Sequence, residues 1–129
     1  MKIASTIARF LLGFIFLVFG FNGFLHFIPM PPPTGLAGQY MGALYVSHYL
    51  VVIFLLQLLP GILLLASRFV PLALTLLGPV VVNIFCYHAF MDHSGLPLAL
   101  IVVVLWFLTF FSVRFAFAGL FQSRVTQAA

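Results

Sequence analysis

Charge is what this sequence lacks most: five residues are Lys or Arg and one is Asp or Glu. That single side-chain carboxylate, Asp92, excludes two-carboxylate acid/base chemistry within one chain. A hydrolytic triad would have to recruit Asp92 as its acid, and none of Ser47, Ser94 or Ser112 lies in a nucleophile motif. Cysteine is nearly absent too. Cys86 stands alone, so no intrachain disulfide or paired-cysteine redox motif can form, and it reads as a small apolar core residue. The net charge of +4 is spread over scattered basic residues with no aromatic platform beside a cluster, which argues against nucleic acid as a partner. Tandem repeats and low-complexity tails are missing as well.

What is present is hydrocarbon. Hydrophobic residues make up 65% of the chain and the mean hydropathy is +1.32, leaving too little polar surface for a small soluble globule. The expected fold is an all-α membrane protein in one domain, residues 1–129: four transmembrane helices in a bundle, with a short interfacial helix between the first and second. Crossing about 30 Å of hydrocarbon takes roughly 20 residues, which places the spans at about 7–28, 48–66, 70–90 and 96–117. A short helix is expected at about 35–45, after Pro29 and the Pro31-Pro32-Pro33 run end the first span, with Thr34 as its cap. Ser47 is the expected cap of the second span, and Pro60-Gly61 should kink it. The basic start and apolar run of the first span also describe a signal peptide. The run is too long for one, and no small-x-small cleavage site follows, so a retained helix is expected.

Four crossings put Lys2, Arg9, Arg68, Arg114 and Arg124 on one side and Asp92 with the proline-rich connection on the other. The positive-inside rule then assigns the basic side, with both termini, to the cytoplasm, and this asymmetry together with the family resemblance given below makes a bacterial inner membrane the most economical location.

With that topology, polar residues far apart in sequence reach similar depth. Asn22 and His26, four apart and so on one helix face, join Asn83 and His88 in the outer half, with Gln57 near the middle. Together they suggest a quinone or lipid pocket opening outward, with His48, Asp92 and His93 on its outer rim and the 29–47 connection as its cap. The amides serve equally well as hydrogen-bonding links between helices, and the histidines as satisfied interface residues. Asn83 and His88, five apart, lie about 140° from one another around a helix and straddle an edge. The four histidines form no HxxxH or HxxE pair, so no metal site is expected. A haem or pigment held by one histidine stays open, with nothing that specifies it.

Arg9-Phe10-Leu11-Leu12-Gly13 with Phe19-Gly20, the block from Gln57 through Pro60-Gly61 to Arg68-Phe69-Val70-Pro71-Leu72, and Pro79 through Asn83 to His88 resemble the DoxX-like family of small four-helix membrane proteins. The similarity covers nearly the whole chain and is strongest from the second to the third span. It implies a domain associated with redox systems, among them a quinol-oxidase or thiosulfate:quinone oxidoreductase subunit. Relatives often carry Glu where Gln57 stands, and Gln57 cannot relay protons by ionising.

The function expected from residues and resemblance together is an accessory subunit of a respiratory or other electron-transfer complex, embedded in the lipid bilayer among other membrane subunits. The alternatives are a stand-alone quinone-linked oxidoreductase and a non-redox chaperone or transporter for a hydrophobic ligand.

Overall fold

The computed structural model describes residues 1–128. Among these residues five α-helices follow one another: α1 (Lys2–Leu25), α2 (Gly35–Val46), α3 (Tyr49–Leu65), α4 (Val70–Phe90) and α5 (Leu96–Val113). Short 3-10 segments, His93–Gly95 and Arg114–Phe121, flank α5, and no strand occurs among the described residues.

The helix ends differ from expectation where a local polar group competes. α1 starts at Lys2, with the Ser5 and Thr6 hydroxyls donating to the Lys2 carbonyl at 3.0 and 2.9 Å. It ends at Leu25, short of Ile28, because His26 takes a left-handed conformation (φ 54°) and donates its N–H to the Asn22 carbonyl. The cap of α3 is His48, also left-handed at φ 63°, in place of Ser47. The Ser47 hydroxyl instead donates to the Leu44 carbonyl at 3.2 Å and accepts from the Tyr49 N–H at 3.3 Å, binding the two sides of the turn. Thr34 occupies the cap position of α2 without a side-chain capping bond. α4 covers the expected span, whereas α5 ends at Val113, four residues before the anticipated end at Phe117, and passes into the 3-10 segment.

α1, α3, α4 and α5 form a ring in which α1 packs on α3 and α5, and α4 packs on the same two helices. The α1–α3 seam is the closest. A Cβ added at Gly61 would lie 3.0 Å from the Leu17 nitrogen and 3.1 Å from the Gly13 carbonyl, so the two backbones nearly touch. Higher along the same antiparallel seam, Leu58 fills the space over Gly20 and the Phe54 ring lies on Gly23. Such backbone approach maximises dispersion contact where lipid offers no hydrophobic driving force between helices. Leu12, Phe16, Leu64, Leu74 and Leu77 fill the centre of the ring. Across the α4–α5 seam, Trp106 donates Nε1–H to the Leu74 carbonyl at 3.1 Å and stacks on Phe110 with ring centroids 5.3 Å apart.

The outer surface is apolar. Three helical stretches, Lys2–Leu25, Val70–Phe90 and His93–Phe121, are long and apolar enough to cross a membrane. α3 makes a fourth when taken with α2, from which it is bent by 89°. Exposed residues such as Phe14, Leu55, Leu59, Val104 and Phe107 coat these helices, an arrangement suited to lipid and costly in water. The chain is thus a membrane protein, a bundle of transmembrane-capable helices.

Because the α1–α3 seam has no room for a side chain, Gly61→Val should lower stability by about 1–3 kcal/mol through overpacking. Gly42, inside α2 with nothing within 4 Å of an added Cβ, provides the control, and Gly42→Ala should cause no loss and add up to about 1 kcal/mol through helix propensity. Thermal unfolding in detergent, followed by helical circular dichroism, distinguishes the two.

Candidate functional site

The ring has two chemically different ends. At one, Arg9 of α1 reaches the C-terminus of α3: its guanidinium donates at 2.6 Å to the Leu64 carbonyl and at 2.6 Å to the Ser67 hydroxyl. Leu64 has one of the terminal carbonyls an α-helix leaves without an internal donor, and a cation there also meets the negative end of the helix dipole. Arg9 lies over the Phe10 ring at 4.3 Å from its centroid. In the sequence this arginine shows only as a charge; its structural task depends on the α1–α3 register.

The opposite end carries Asp92 and most of the residues anticipated as a pocket. Asn22 is buried, and its Oδ1 accepts the Ile28 N–H at 2.7 Å. This amide therefore closes the end of α1 and steers the chain into the prolines. His26, expected to share a face with Asn22, is exposed, since the left-handed turn carries it off the helix. His48 is exposed at the bend between α2 and α3. Gln57 is 8% exposed on the inward face of α3 with Pro60, Gly61 and Leu64. Its amide makes no hydrogen bond within the described residues, yet no fully enclosed side-chain polar atom there lacks a partner, so the amide reaches the edge of the packing.

Asn83 departs most from expectation. It is exposed on the outside of the ring, and its Nδ2 donates to the Pro79 carbonyl one turn back at 2.8 Å. The five residues anticipated as one lining are therefore not brought together: Asn22 and Gln57 point into the packing, His26 and Asn83 point away from it, and His88 belongs to a separate network.

That network is the most organised polar feature of the molecule. His88 Nδ1 lies 3.0 Å from the Asp92 carbonyl oxygen, and His93 Nδ1 lies 3.1 Å from the His88 carbonyl oxygen. A carbonyl only accepts, so in each ring Nδ1 is the donor, and in the neutral form Nε2 keeps the lone pair. The His88 ring lies directly over Gly95, where an added Cβ would force the ring to shift from its place beside the Asp92 carbonyl. The same ring meets Tyr87 edge-on at 4.9 Å, and Tyr87 in turn packs against Tyr40 of α2 at 5.9 Å. Tyr40 thereby ties the short helix to the end of α4.

Asp92 Oδ1 accepts from the Ser94 N–H at 3.1 Å and from its hydroxyl at 2.5 Å. These bonds, first the hydroxyl and then the backbone N–H, hold the Asp92 carboxyl below the usual carboxylate range, with His88 and His93 nearby adding to the effect. Between this turn and Pro31-Pro32-Pro33-Thr34 runs a cleft of ≈ 220 Å³ that also borders Ala37 and Met91. Of the three rim residues expected from the sequence, Asp92 lines the cleft, while His48 and His93 do not. Among the described residues no group of three or more His, Cys, Asp or Glu side chains could hold a metal ion.

Comparison with known proteins finds no family model, no curated protein and no solved structure that matches the chain.

Two outcomes follow from this geometry. Asn22→Leu leaves the part-buried Ile28 N–H without its acceptor and should cost about 0.5–1.5 kcal/mol, read by thermal unfolding in detergent. For Asp92, the lowered carboxyl pKa means that the Ser94 bonds contribute to stability above the ordinary carboxylate value and lose that contribution as pH falls through the folded-state value. Ser94→Ala should move the Asp92 carboxyl back up toward the ordinary range, observable in a carboxyl carbon NMR titration.

Proposed function

We propose that the chain is an accessory subunit of a membrane electron-transfer complex, the role implied by its DoxX-like resemblance. In this reading α1, α3, α4 and α5 each cross the bilayer and α2 lies in the interface at the Asp92 end. The collection of Lys2, Arg9, Arg68 and Arg114 toward the opposite end supports a cytoplasmic assignment for that end, with both termini, in a bacterial inner membrane. The observation that carries the reading is the commitment of the polar side chains to structure. Arg9 caps α3, Asn22 caps α1, Asp92 ties the turn before α5, and His88 and His93 bridge that turn. A chain that spends its hydrogen-bonding groups on holding helix ends, beneath wide apolar outer faces, suits a subunit whose surfaces meet lipid and neighbouring helices.

A second reading, a quinone-linked oxidoreductase, draws on the His88 ring. With Nδ1 donating to Asp92, Nε2 is the atom that can accept a quinol hydroxyl proton, while an external redox partner takes the electrons. Quinone-dependent turnover that disappears in His88→Ala would favour it, and unchanged turnover would remove His88 from any such mechanism.

The primary reading is tested by native mass spectrometry, with lipid and cofactor extraction, of the complex gently solubilised from its own membrane. Co-isolation with cytochrome-bearing or other redox subunits is the expected result. Recovery free of any redox subunit, with or without a bound quinone or lipid, would overturn the accessory role.

A further inference from the structure

The outward faces of the ring are not equivalent. Away from their ends, α1, α3 and α5 expose only apolar side chains, among them Phe14 and Phe21, Leu55 and Leu59, Ile101 and Val104. α4 alone exposes an amide in its body. Asn83 stands seven residues before the end of α4 at Phe90, about 10 Å along the helix axis at 1.5 Å per residue. One N–H of its Nδ2 is spent on the Pro79 carbonyl. The other N–H and Oδ1 have no partner among the described residues, and the side chain is exposed on the outside of the ring at a depth where lipid provides none.

The same face is built for close approach. At about 100° per residue, Leu72, Thr75, Pro79, Asn83, Cys86 and Phe90 fall within roughly 40° of one line along α4. Thr75, Pro79 and Cys86 are compact, and the Thr75 hydroxyl is turned back onto its own helix at the Pro71 carbonyl, 2.8 Å away. Pro79 has no N–H, which leaves the Thr75 carbonyl without its usual donor in the middle of the stripe.

We infer that two copies of the chain pair through this face of α4, side by side and in the same orientation, with the Asn83 amides hydrogen-bonded to one another across a two-fold axis. Copies inserted with one topology share depth, so an axis along the membrane normal sets Asn83 opposite Asn83 automatically. A carboxamide is both donor and acceptor and is therefore complementary to itself, each copy giving the N–H that the other accepts. A single amide in a helix seam is a recognised device for fixing register, and small neighbours let the backbones close around it. The pairing is independent of the accessory-subunit reading, since α1 and α5 keep their outer faces free for other chains.

Cys86, the only cysteine and half-exposed one turn beyond Asn83, is a built-in reporter. The full-length protein in its own membranes is treated with a short bis-maleimide and analysed by denaturing gel and mass spectrometry. The expected product is a covalent pair of identical chains. Asn83→Leu should lower its yield about 5–30-fold, the factor corresponding to roughly 1–2 kcal/mol of interhelical hydrogen bonding. Asn83→Gln should retain most of it. Moving the thiol to the outer face of α5, by Cys86→Ala with Phe107→Cys, should give no pair. Circular dichroism of Asn83→Leu should match the parent, because Asn83 bonds only within α4. Overturning results are a crosslink to a different protein, no crosslink from Cys86 together with a native mass of one chain, a yield unaffected by Asn83→Leu, or equal crosslinking from Phe107→Cys.

Discussion

The rest of the architecture depends on the contact of the α1 and α3 backbones at Gly13 and Gly61. Helices in lipid gain nothing from leaving water, so what decides their arrangement is how closely they can approach and what polar groups they can satisfy. Gly13 and Gly61 remove the side chains that would hold α1 and α3 apart, and Leu58 and Phe54 then settle over Gly20 and Gly23. With the seam closed, Arg9 is delivered to the end of α3. α4 and α5 complete the ring by packing against the outer flanks of this pair.

Helix number, order and approximate limits were legible in the sequence because they rest on run length and on proline, both local properties. The approximate limits of α4 were the most legible, because Pro71 marks its first turn and Met91-Asp92 breaks its apolar run. The site was much less legible. Depth along a helix can be counted from sequence, but the direction of a side chain around the axis depends on which neighbours the helix finds. Asn83 illustrates the difference: its depth was derivable, while its outward direction follows from α4 meeting α3 and α5 on its other side. His26 was misplaced for a different reason. Nothing in Leu25-His26-Phe27 announces a left-handed residue, and the bond from Ile28 to Asn22 that favours the turn is visible only in three dimensions.

Several polar side chains terminate something. Asn22 ends α1, Ser47 holds both sides of the α2–α3 bend, Arg9 closes α3, and Asp92 opens the 3-10 turn before α5. Among the described residues four non-glycine residues, His26, His48, Ser67 and Phe69, adopt positive φ, all of them in the turns. Each such residue costs roughly 1–2 kcal/mol relative to a right-handed conformation, so the turns hold because the surrounding hydrogen bonds and packing outweigh that cost. His88 differs from these terminating residues in retaining an uncommitted ring nitrogen beside an aromatic contact that continues through Tyr87 to Tyr40.

The bond from Arg9 to the Leu64 carbonyl joins residues 55 positions apart. During synthesis the first helix is made, glycine groove open and guanidinium unpaired, well before its partner exists. At about 5–20 residues per second that interval is roughly 3–11 s, long on the scale of lateral diffusion and helix encounter in a bilayer. Through it the helix must be kept from pairing with the wrong neighbour, either inside the insertion machinery or by its bulky apolar faces. The order of birth of the helices is thus part of what this chain has to solve, and its glycines are both the lock and the interval's exposed surface.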